Sequence, residues 1–497
     1  MFAVEMKSIA KKFGDNFKAN DCVDFNVQKG EIHALVGENG AGKTTLMKIL
    51  YGLYHADEGK ISINEKEVEI LSPSEAIKVG IGMVHQHFML VEPLTVSENI
   101  ILGDETTDKF GIIDYTYSEK RIIDITERFN INVDINARVE NLSVGIQQKI
   151  EILKILYRNA DILILDEPTA VLTPQETDEL FKTLKELKSK GKTIILITHK
   201  LGEVLSISDR VSVLRRGKMV GELQTKSTNR DELAKLIVGG EIDFAASIES
   251  VIFKNVILTV ENLTVLNDKS TEIVKNVSFQ IKAGEILGIA GVEGNGQSEL
   301  TEAITGLREI QMGNIKVKEK ELKNDYPIAH IPADRYKHGI VMDYSVSENI
   351  ALGRIREKRF STRLAINLQE IKEYTEKLIN EYDIQLQNPF QIISGLSGGN
   401  QQKVVVAREL TKETDLIIVN HPTRGLDIKA SNFVHSSLLN ERKKGKAILL
   451  VSSDLSELLS LSDRIAVMYN GKISAFLNPH DTNEREIGLY MTGLRGN

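Results

Sequence analysis

The sequence predicts two similar α/β domains, each built on a parallel sheet that is buried on both faces. Three observations support this fold class: several motifs recur at the same separation, continuous apolar runs have the length of strands, and a glycine-rich segment follows such a run in each half. Parallel strands covered by helices on both faces have such unbroken runs of Val, Ile and Leu. The chain of 497 residues is long enough for two domains of ordinary size.

The repeated motifs set the domain boundaries. GENGAGKT begins at Gly37 and GVEGNGQS begins at Gly291, 254 positions later, and LSVGIQQK recurs as LSGGNQQK with the same separation. Self-similarity at a fixed separation indicates that one structural unit is present twice. We therefore predict domains at 1–240 and 256–497, joined by a linker at 241–255.

Composition narrows the class of protein. The chain has 41% hydrophobic residues and a formal net charge of −8, which gives no electrostatic case for nucleic acid as the main partner. A single cysteine, Cys22, excludes a disulfide framework and suggests a reducing compartment. The N-terminus lacks the apolar core of a signal peptide, and runs such as TIILIT are far shorter than the ~20 residues that span a bilayer. We expect no direct membrane span, a cytosolic location, and a membrane role only through a partner.

In the first repeat, the run EIHALVG predicts a strand that leads into the glycine-rich loop, and a helix follows from Lys43 to Tyr51. GENGAGKT fits the pattern G-x-x-x-x-G-K-[ST], in which backbone N–H groups and the positive end of a helix dipole hold phosphate. In this interpretation Lys43 reaches the β- and γ-phosphates and Thr44 binds Mg²⁺. The alternative is a plain glycine turn before a helix, and the preceding strand disfavours it. The predicted loop residues are Gly37, Glu38, Asn39, Gly40, Ala41, Gly42, Lys43, Thr44 and Thr45.

Further side chains of the first repeat are candidates for the same site. Asp166 ends the run DILILD and is predicted to hold the Mg²⁺ shell, while Glu167 beside it polarises the attacking water. His199 ends KTIILITH and is spaced to reach a γ-phosphate, and Gln86 is a candidate sensor of Mg²⁺ or water. Phe13 precedes a core strand and is a candidate for stacking on adenine. Each has an ordinary alternative, because acids often end strands, a single His is often structural, and such an aromatic is often core.

The motif LSGGNQQK, taken with GENGAGKT, ILILDEPT and LITH, resembles the ATP-binding cassette (ABC) ATPases over essentially the whole chain. The resemblance implies a P-loop NTPase fold in two tandem nucleotide-binding domains, each with a helical subdomain and an antiparallel β subdomain. About 100 residues with helical character, including SEKRIIDITERFN, lie between the first glycine loop and LSVGIQQ, where the helical subdomain is expected.

The resemblance also implies that two cassettes pair head to tail, so that each ATP lies between the glycine loop of one and the LSGGQ-type signature of the other. The first composite site then adds Ser397, Gly398, Gly399 and Asp427 to the residues of the first domain. The second composite site consists of Gly291, Gly294, Gly296, Gln297, Ser298, Asn420, His421 and Ser453, with Ser143 and Gly145 of the first domain's signature.

Every departure from the family pattern falls in the second composite site. Gln297 replaces the lysine, Asn420 and His421 replace the acidic pair, and the segment 256–278 has no aromatic residue for adenine. The remaining departures are Asp334 at the Q-loop position, Ser453 at the histidine position, Val144 in the signature and Thr173 in the D-loop. We expect the first site to hydrolyse ATP and the second at most to hold nucleotide. The alternative is that His421 acts as a base near neutral pH.

A tandem pair of this kind resembles the energy subunit of a bacterial importer for simple sugars or nucleosides. The segment MVHQHFMLVEPLTVSENI most resembles the nucleoside branch of these importers. The resemblance implies ATP and Mg²⁺ as cofactors, and two transmembrane permease subunits at the cytoplasmic face, which connect the chain to an extracellular solute-binding protein. HFMLV is apolar for a loop and fits a docking surface, with a core helix as the alternative. The rival functions are a ribose-, galactose- or xylose-type importer and a ribosome-associated or repair ATPase.

Overall fold

The computed structural model of the chain describes residues 1–14, 17–38, 40–85, 88–107, 109–170, 172–239, 253, 255–322, 326–355, 357–362, 365–426 and 428–495. Contacts divide the chain into two compact units, Met1–Ile242 and Asp243–Asn497. Apart from residues 253 and 255, the predicted linker 241–255 lies outside the described residues.

The first unit alternates strands and helices after an opening hairpin. Its strands are β1 (Phe2–Phe13), β2 (Phe17–Gln28), β3 (Ile32–Val36), β4 (Glu58–Ile63), β5 (Lys66–Val68), β6 (Ile81–Val84), β7 (Ile162–Asp166), β8 (Thr193–Ile197), β9 (Arg210–Arg215) and β10 (Lys218–Gln224). Its helices are α1 (Lys43–Leu50), α2 (Pro73–Lys78), α3 (Val96–Ile101), α4 (Tyr115–Phe129), α5 (Val144–Tyr157), α6 (Pro174–Ser189), α7 (Leu201–Ile207) and α8 (Arg230–Val238).

Two sheets organise this unit. A six-stranded sheet has the order β10-β9-β3-β8-β7-β6, and all its neighbours are parallel except the antiparallel pair of β10 with β9. A four-stranded antiparallel sheet has the order β2-β1-β4-β5. Helix α1 fills the space between the sheets, because Leu50 of α1, Phe25 of β2 and Ile195 of β8 belong to one buried cluster. The predicted parallel sheet and antiparallel β subdomain are confirmed.

The other face of the parallel sheet carries the helical part. Leu165 of β7 packs in one cluster with Leu153 of α5 and Leu184 of α6. Helices α3, α4 and α5 all lie between β6 and β7 in sequence, as expected for the helical subdomain. The segment SEKRIIDITERFN forms most of α4, which Asp114 caps by accepting a hydrogen bond from the Tyr117 N–H.

The apolar segment before α3 does not form the alternative core helix. Residues 88–91 lie outside helices and strands, and Met89 is 61% exposed. Two side chains fix the backbone of this segment. The Met89 N–H donates to Glu151 Oε1 at 2.6 Å, and the Val91 N–H donates to Asn99 Oδ1 at 2.7 Å. The segment therefore presents apolar side chains on a fixed backbone.

The second unit repeats this architecture. Its strands are β11 (Val256–Leu266), β12 (Glu272–Lys282), β13 (Ile286–Ala290), β14 (Met312–Val317), β15 (Lys320–Glu321), β16 (Ala329–Ile331), β17 (Leu416–Asn420), β18 (Ala447–Val451), β19 (Arg464–Tyr469) and β20 (Lys472–Leu477). Its helices are α9 (Gln297–Ile304), α10 (Val346–Ala351), α11 (Leu368–Glu381), α12 (Gly398–Leu410), α13 (Ile428–Lys443), α14 (Leu455–Leu461) and α15 (Glu484–Met491). The sheets have the orders β16-β17-β18-β13-β19-β20 and β12-β11-β14-β15, which match the first unit strand for strand.

Candidate nucleotide-binding sites

The glycine loop of the first unit connects β3 to α1, as predicted. Gly42 precedes α1 with a φ of 103°, and a Cβ added there would lie 2.1 Å from the Ala19 carbonyl oxygen. No side chain fits at that position, so the loop needs glycine to reach the helix. Gly37, Glu38, Gly40 and Ala41 lie in the loop, and Thr44 and Thr45 lie in the first turn of α1. Asn39 lies outside the described residues.

The Lys43 side chain folds back over this loop. Its Nζ donates to the carbonyl oxygens of Gly37 at 2.7 Å and Glu38 at 2.9 Å. Burial lowers the pKa of Lys43, and the negative charges of Glu167, Asp166 and Glu38 oppose that effect. The ammonium is therefore held beside backbone N–H groups that bind phosphate in such loops.

The strand β7 delivers Asp166 to the same place. Burial raises the pKa of Asp166 to about 6, the charge of Glu167 adds to the rise, and the charge of Lys43 opposes it. The nearby hydroxyl of Thr44 also lowers the pKa of this carboxyl group. A hydroxyl and a carboxylate oxygen are hard ligands that suit Mg²⁺, and a bound cation would relieve the cost of the buried charge. In the part of the chain that the structure describes, no cluster of three or more His, Cys, Asp or Glu could hold a metal without other ligands.

Glu167 and His199 form a pair at the ends of adjacent strands. The Glu167 N–H donates to the Ile197 carbonyl at 2.9 Å, and Glu167 Oε1 lies 3.0 Å from His199 Nδ1. Burial tends to raise the pKa of Glu167, but the hydrogen bond and charge of His199 together with Lys43 outweigh it and leave the pKa lowered. The structure thus keeps Glu167 ionised and oriented, which a base or water-orienting group requires.

The candidate adenine platform lies at the end of β1. Phe13 is 38% exposed, and its ring meets Tyr54 edge to face with 5.3 Å between centroids. The ammonium of Lys11 lies 5.8 Å from the centroid of the same ring. Phe13 is therefore not a core residue, and Tyr54 supports it. Sequence reasoning missed Tyr54, because nothing in its local sequence indicates contact with a residue 41 positions earlier.

The glycine loop of the second unit keeps the shape of the first. Gly294 and Gly296 have φ values of 92° and 100°, and α9 begins at Gln297. The buried Gln297 amide donates from Nε2 to the Val292 carbonyl at 3.1 Å. Val292 follows Glu38 by 254 positions, so Gln297 makes the equivalent of a bond that Lys43 makes, without the charge. Gly291 is the first residue of this loop after β13, and Ser298 is in the first turn of α9.

The two residues that replace the acidic pair each form hydrogen bonds to neighbouring elements. The buried Asn420 donates from Nδ2 to Thr301 Oγ1 at 3.2 Å. His421 has a φ of 46°, against 49° at Glu167, and its N–H donates to the Val451 carbonyl. The Ser453 N–H donates to His421 Nδ1 at 3.2 Å, and burial lowers the pKa of His421. The lone pair of Nδ1 is already engaged, which disfavours the alternative role of His421 as a base.

The place of the adenine platform is taken by a turn. Asn267 stands 254 positions after Phe13, and its Oδ1 accepts hydrogen bonds from the N–H groups of Lys269 and Thr271. Asn267 shapes the β11–β12 hairpin and offers no aromatic face.

Both signature motifs open a helix on a serine. Ser143 caps α5, and Ser397 caps α12, where its Oγ accepts from Asn400 Nδ2 at 3.1 Å. The signature residues Val144, Gly145, Gly398 and Gly399 lie in the first turns of these helices. Thr173 caps α6, and Asp334 caps a π-helical turn at Arg335–Gly339. Two other predicted site residues, Gln86 and Asp427, lie outside the described residues.

Two α/β units of this topology, each with a phosphate-binding loop and a serine-capped signature helix, define a tandem ATP-binding protein. A family model described as ABC transporter matches residues 21–170 and 274–424, one stretch in each unit. The chain belongs to the ABC transporter family, with the P-loop NTPase fold of its ATP-binding cassettes. It is an ATPase and the energy-coupling subunit of a transporter.

Relatives cover nearly the full length. The chain is 48% identical to the guanosine import ATP-binding protein NupO of Bacillus subtilis (strain 168), over 99% of this chain and 98% of that protein. It is 44% identical to the nucleoside import ATP-binding protein NupA of Lactococcus lactis subsp. cremoris (strain MG1363), with the same coverage. Four bacterial ribose import ATP-binding proteins are 38–39% identical over 99% of this chain.

A solved structure shares the fold over most of the chain. An archaeal ribosome recycling factor in complex with the ribosomal stalk protein aP1 has a TM-score of 0.60 and 21% identity, covering 93% of this chain and 87% of that one. At this identity the likeness shows a common fold alone. No helix among the described residues is both long and apolar enough to cross a membrane.

Proposed function

We propose that this chain hydrolyses ATP at one composite site to drive the import of nucleosides. The observation that carries the substrate class is the 44–48% identity, over 99% of the chain, to ATP-binding proteins of guanosine and nucleoside import. Glucose and ribose import proteins lie lower, at 38–41%. The cassette does not select the solute itself, so the inference concerns the transporter to which the chain belongs.

The working site would use the residues of the first unit in distinct roles. Lys43 neutralises charge on the β- and γ-phosphates, Glu167 orients the attacking water, and His199 holds Glu167 while contacting the γ-phosphate. Thr44, Asp166 and Gln86 would hold Mg²⁺, which supplies charge neutralisation at the phosphates when bound. Phe13 would stack on adenine. Ser397, Gly398, Gly399 and Asp427 of the second unit would close this site by head-to-tail pairing.

The other composite site would bind nucleotide without turning it over. Its loop keeps Gly294, Gly296 and the N-terminus of α9, which are the groups that hold phosphate through the backbone. Gln297 contributes no charge, and Asn420 is a poorer Mg²⁺ ligand than a carboxylate. His421 is engaged with Ser453. Binding there would help to hold the two cassettes together while the first site works.

Partners follow from this role. We infer two transmembrane permease subunits and, through them, an extracellular solute-binding protein, with the chain peripheral on the cytoplasmic face of a bacterial membrane. The apolar residues 88–91 would contact the permease, which fits the exposure of Met89 and Val91 on a fixed backbone. Neither the charge nor the relatives indicate nucleic acid as a partner.

Reconstitution tests the solute class. The chain would be incorporated into proteoliposomes with its permease subunits and solute-binding protein, and ATP hydrolysis would be measured with guanosine, adenosine, ribose or galactose outside. We expect stimulation by nucleosides and none by free sugars. Stimulation by ribose alone would overturn the nucleoside assignment in favour of the sugar-type alternative.

A further inference from the structure

In the first unit, a carboxylate from the same chain binds the N-terminus of the signature helix α5. The carboxylate of Glu176 accepts a hydrogen bond from the Gly145 N–H, with 3.2 Å between N and Oε1. The approach is close, since a Cβ added to Gly145 would lie 2.6 Å from the same Oε1. Gly145 is the second residue of α5, where free N–H groups and the helix dipole attract negative charge. Glu176 therefore uses a group that a signature offers to phosphate.

A capping box fixes the Glu176 carboxylate in this position. Its Oε2 accepts hydrogen bonds from the N–H and the hydroxyl of Thr173, both at 3.0 Å, while the Glu176 N–H donates to Thr173 Oγ1 at 3.3 Å. Thr173 is itself buried. Because each carboxylate oxygen has a partner, the start of α6 sets the direction of the side chain. Thr173, which replaces the D-loop aspartate, thus aims Glu176 at the signature.

In the second unit, the position equivalent to Glu176 does not carry a carboxylate. Ala430 stands 254 positions after Glu176 and has no side chain that could reach α12. The group beside that signature is instead a cation, because Arg335 Nη2 lies 2.9 Å from the place that a Cβ on Gly398 would take. Among the residues that the structure describes, a carboxylate thus lies beside Gly145 of the degenerate signature and a guanidinium lies beside Gly398 of the intact one.

We propose that Glu176 is a specificity-determining residue that keeps the γ-phosphate of ATP off the first unit's signature. The inference rests on the proposed head-to-tail pairing, in which this signature faces the glycine loop of the second unit. That loop wraps the α- and β-phosphates, so the group that reaches the facing signature is the γ-phosphate. It would compete with Glu176 for the Gly145 N–H and meet a like charge there. The degenerate site then favours ADP over ATP, while the working site, which faces Arg335, receives ATP.

Nucleotide binding to the full-length chain tests this specificity. Isothermal titration would be carried out with Mg·ATP and separately with Mg·ADP in the Glu167→Gln background, which suppresses hydrolysis. Glu176→Ala introduces the residue of the second unit, and Glu176→Gln removes the charge but keeps a side chain that can form the capping box. We expect both variants to bind ATP at the weaker site about tenfold more tightly, through the loss of a like charge, with ADP affinity unchanged.

Glu179→Ala is the matched control, because it removes a carboxylate from the same helix, where Glu179 pairs with Lys149 at 2.8 Å. It should change neither affinity. Unchanged ATP binding in both Glu176 variants would overturn the inference. Equal changes for ATP and ADP, or a change in Glu176→Ala alone, would show a structural role only and overturn it as well.

A further variant separates this inference from the proposed pairing. Ser397→Arg, in the chain with Glu167 intact, places a bulky side chain in the signature of the working site. If ATP turnover survives it, the head-to-tail site is wrong, whatever the Glu176 variants do. If turnover is lost while the Glu176 variants bind ATP like the parent chain, the pairing stands and only the role of Glu176 fails. Thermal unfolding would show that each variant is folded.

Discussion

The glycine loops of the two units have nearly the same backbone, with a φ of 103° at Gly42 and 100° at Gly296. A Cβ would clash with a carbonyl of the neighbouring strand at both positions, at 2.1 Å from Ala19 and 2.7 Å from Ile273. The shape of the loop is therefore set by sterics and by entry into a helix, and these do not depend on the side chain that follows. A phosphate-binding backbone can persist after the chemistry beside it has changed.

The side chains beside the two glycine loops differ in charge. Around Lys43 the carboxylates of Asp166 and Glu167 oppose the effect of burial on the ammonium, and the charge of Lys43 in turn favours the ionised form of each carboxylate. The equivalent set of Gln297, Asn420 and His421 is joined to the scaffold by neutral hydrogen bonds. The comparison suggests that these positions changed as a group, since a single buried charge without partners is costly.

The largest expected effect is at the catalytic position. Glu167→Gln should lower ATP turnover by about 10²–10⁴-fold, because the amide cannot accept a proton or orient water as the ionised carboxylate does. His421→Ala at the equivalent position should change turnover little. Phosphate release by the full-length chain with its permease measures both, and similar losses in the two variants would contradict a single working site.

Lys43→Gln gives the first loop the side chain of the second. The amide can still donate to the loop carbonyls, but the charge that stabilises the transferring phosphate is lost, so turnover should fall by about 10²–10³-fold. The thermal unfolding midpoint should change little, because the backbone does not depend on the charge. Steady-state kinetics and calorimetry on the same sample test this pair of statements. Near-normal turnover would mean that the missing lysine is not what separates the two loops.

The local parts of both sites could be predicted from the sequence. The glycine loop, the strand that ends in Asp166 and the serine caps are each encoded in fewer than a dozen adjacent residues, so pattern and spacing are sufficient. The offset between the repeats then identified the equivalent of each position in the second unit. For the same reason, Gln297 and Asn420 could be placed before any coordinates were known.

What the sequence did not indicate depends on contacts between distant segments. The ring contact of Phe13 with Tyr54 and the hydrogen bond from the Gly145 N–H to Glu176 each join residues separated by more than 30 positions. Thr173 was identified only as a missing aspartate, although T-P-Q-E is a capping-box pattern that local reasoning can find. The contact that this capping box makes with the signature helix could not be predicted, because it depends on how α6 packs against α5.

A smaller effect is expected at the adenine platform. Phe13→Ala removes a ring that is available for stacking, so the KM for ATP should rise about tenfold with kcat nearly unchanged. Asn267→Ala at the equivalent position should leave KM unchanged, because Asn267 only shapes a turn. Kinetics across a range of ATP concentrations separate the two parameters. A fall in kcat without a change in KM would show that Phe13 acts on the catalytic geometry and not on adenine.

The smallest expected effect tests whether the second glycine loop can accept a buried positive charge. Gln297→Lys returns the lysine to the second loop, where Asn420, His421 and Val292 replace the groups whose charges oppose the burial of Lys43. The ammonium would be buried without these three counter-charges, so the variant should not gain turnover and should lose about 1 kcal/mol of stability. Because burial lowers the pKa of such a lysine, the folded state binds fewer protons than the unfolded state, and the loss should shrink as pH rises toward 10. Adding Asn420→Asp should recover part of the stability at neutral pH, as measured by thermal unfolding. Full stability in the single variant would mean that the second loop tolerates a buried charge. The neutral residues around position 297 would then not be explained by the absence of a lysine there.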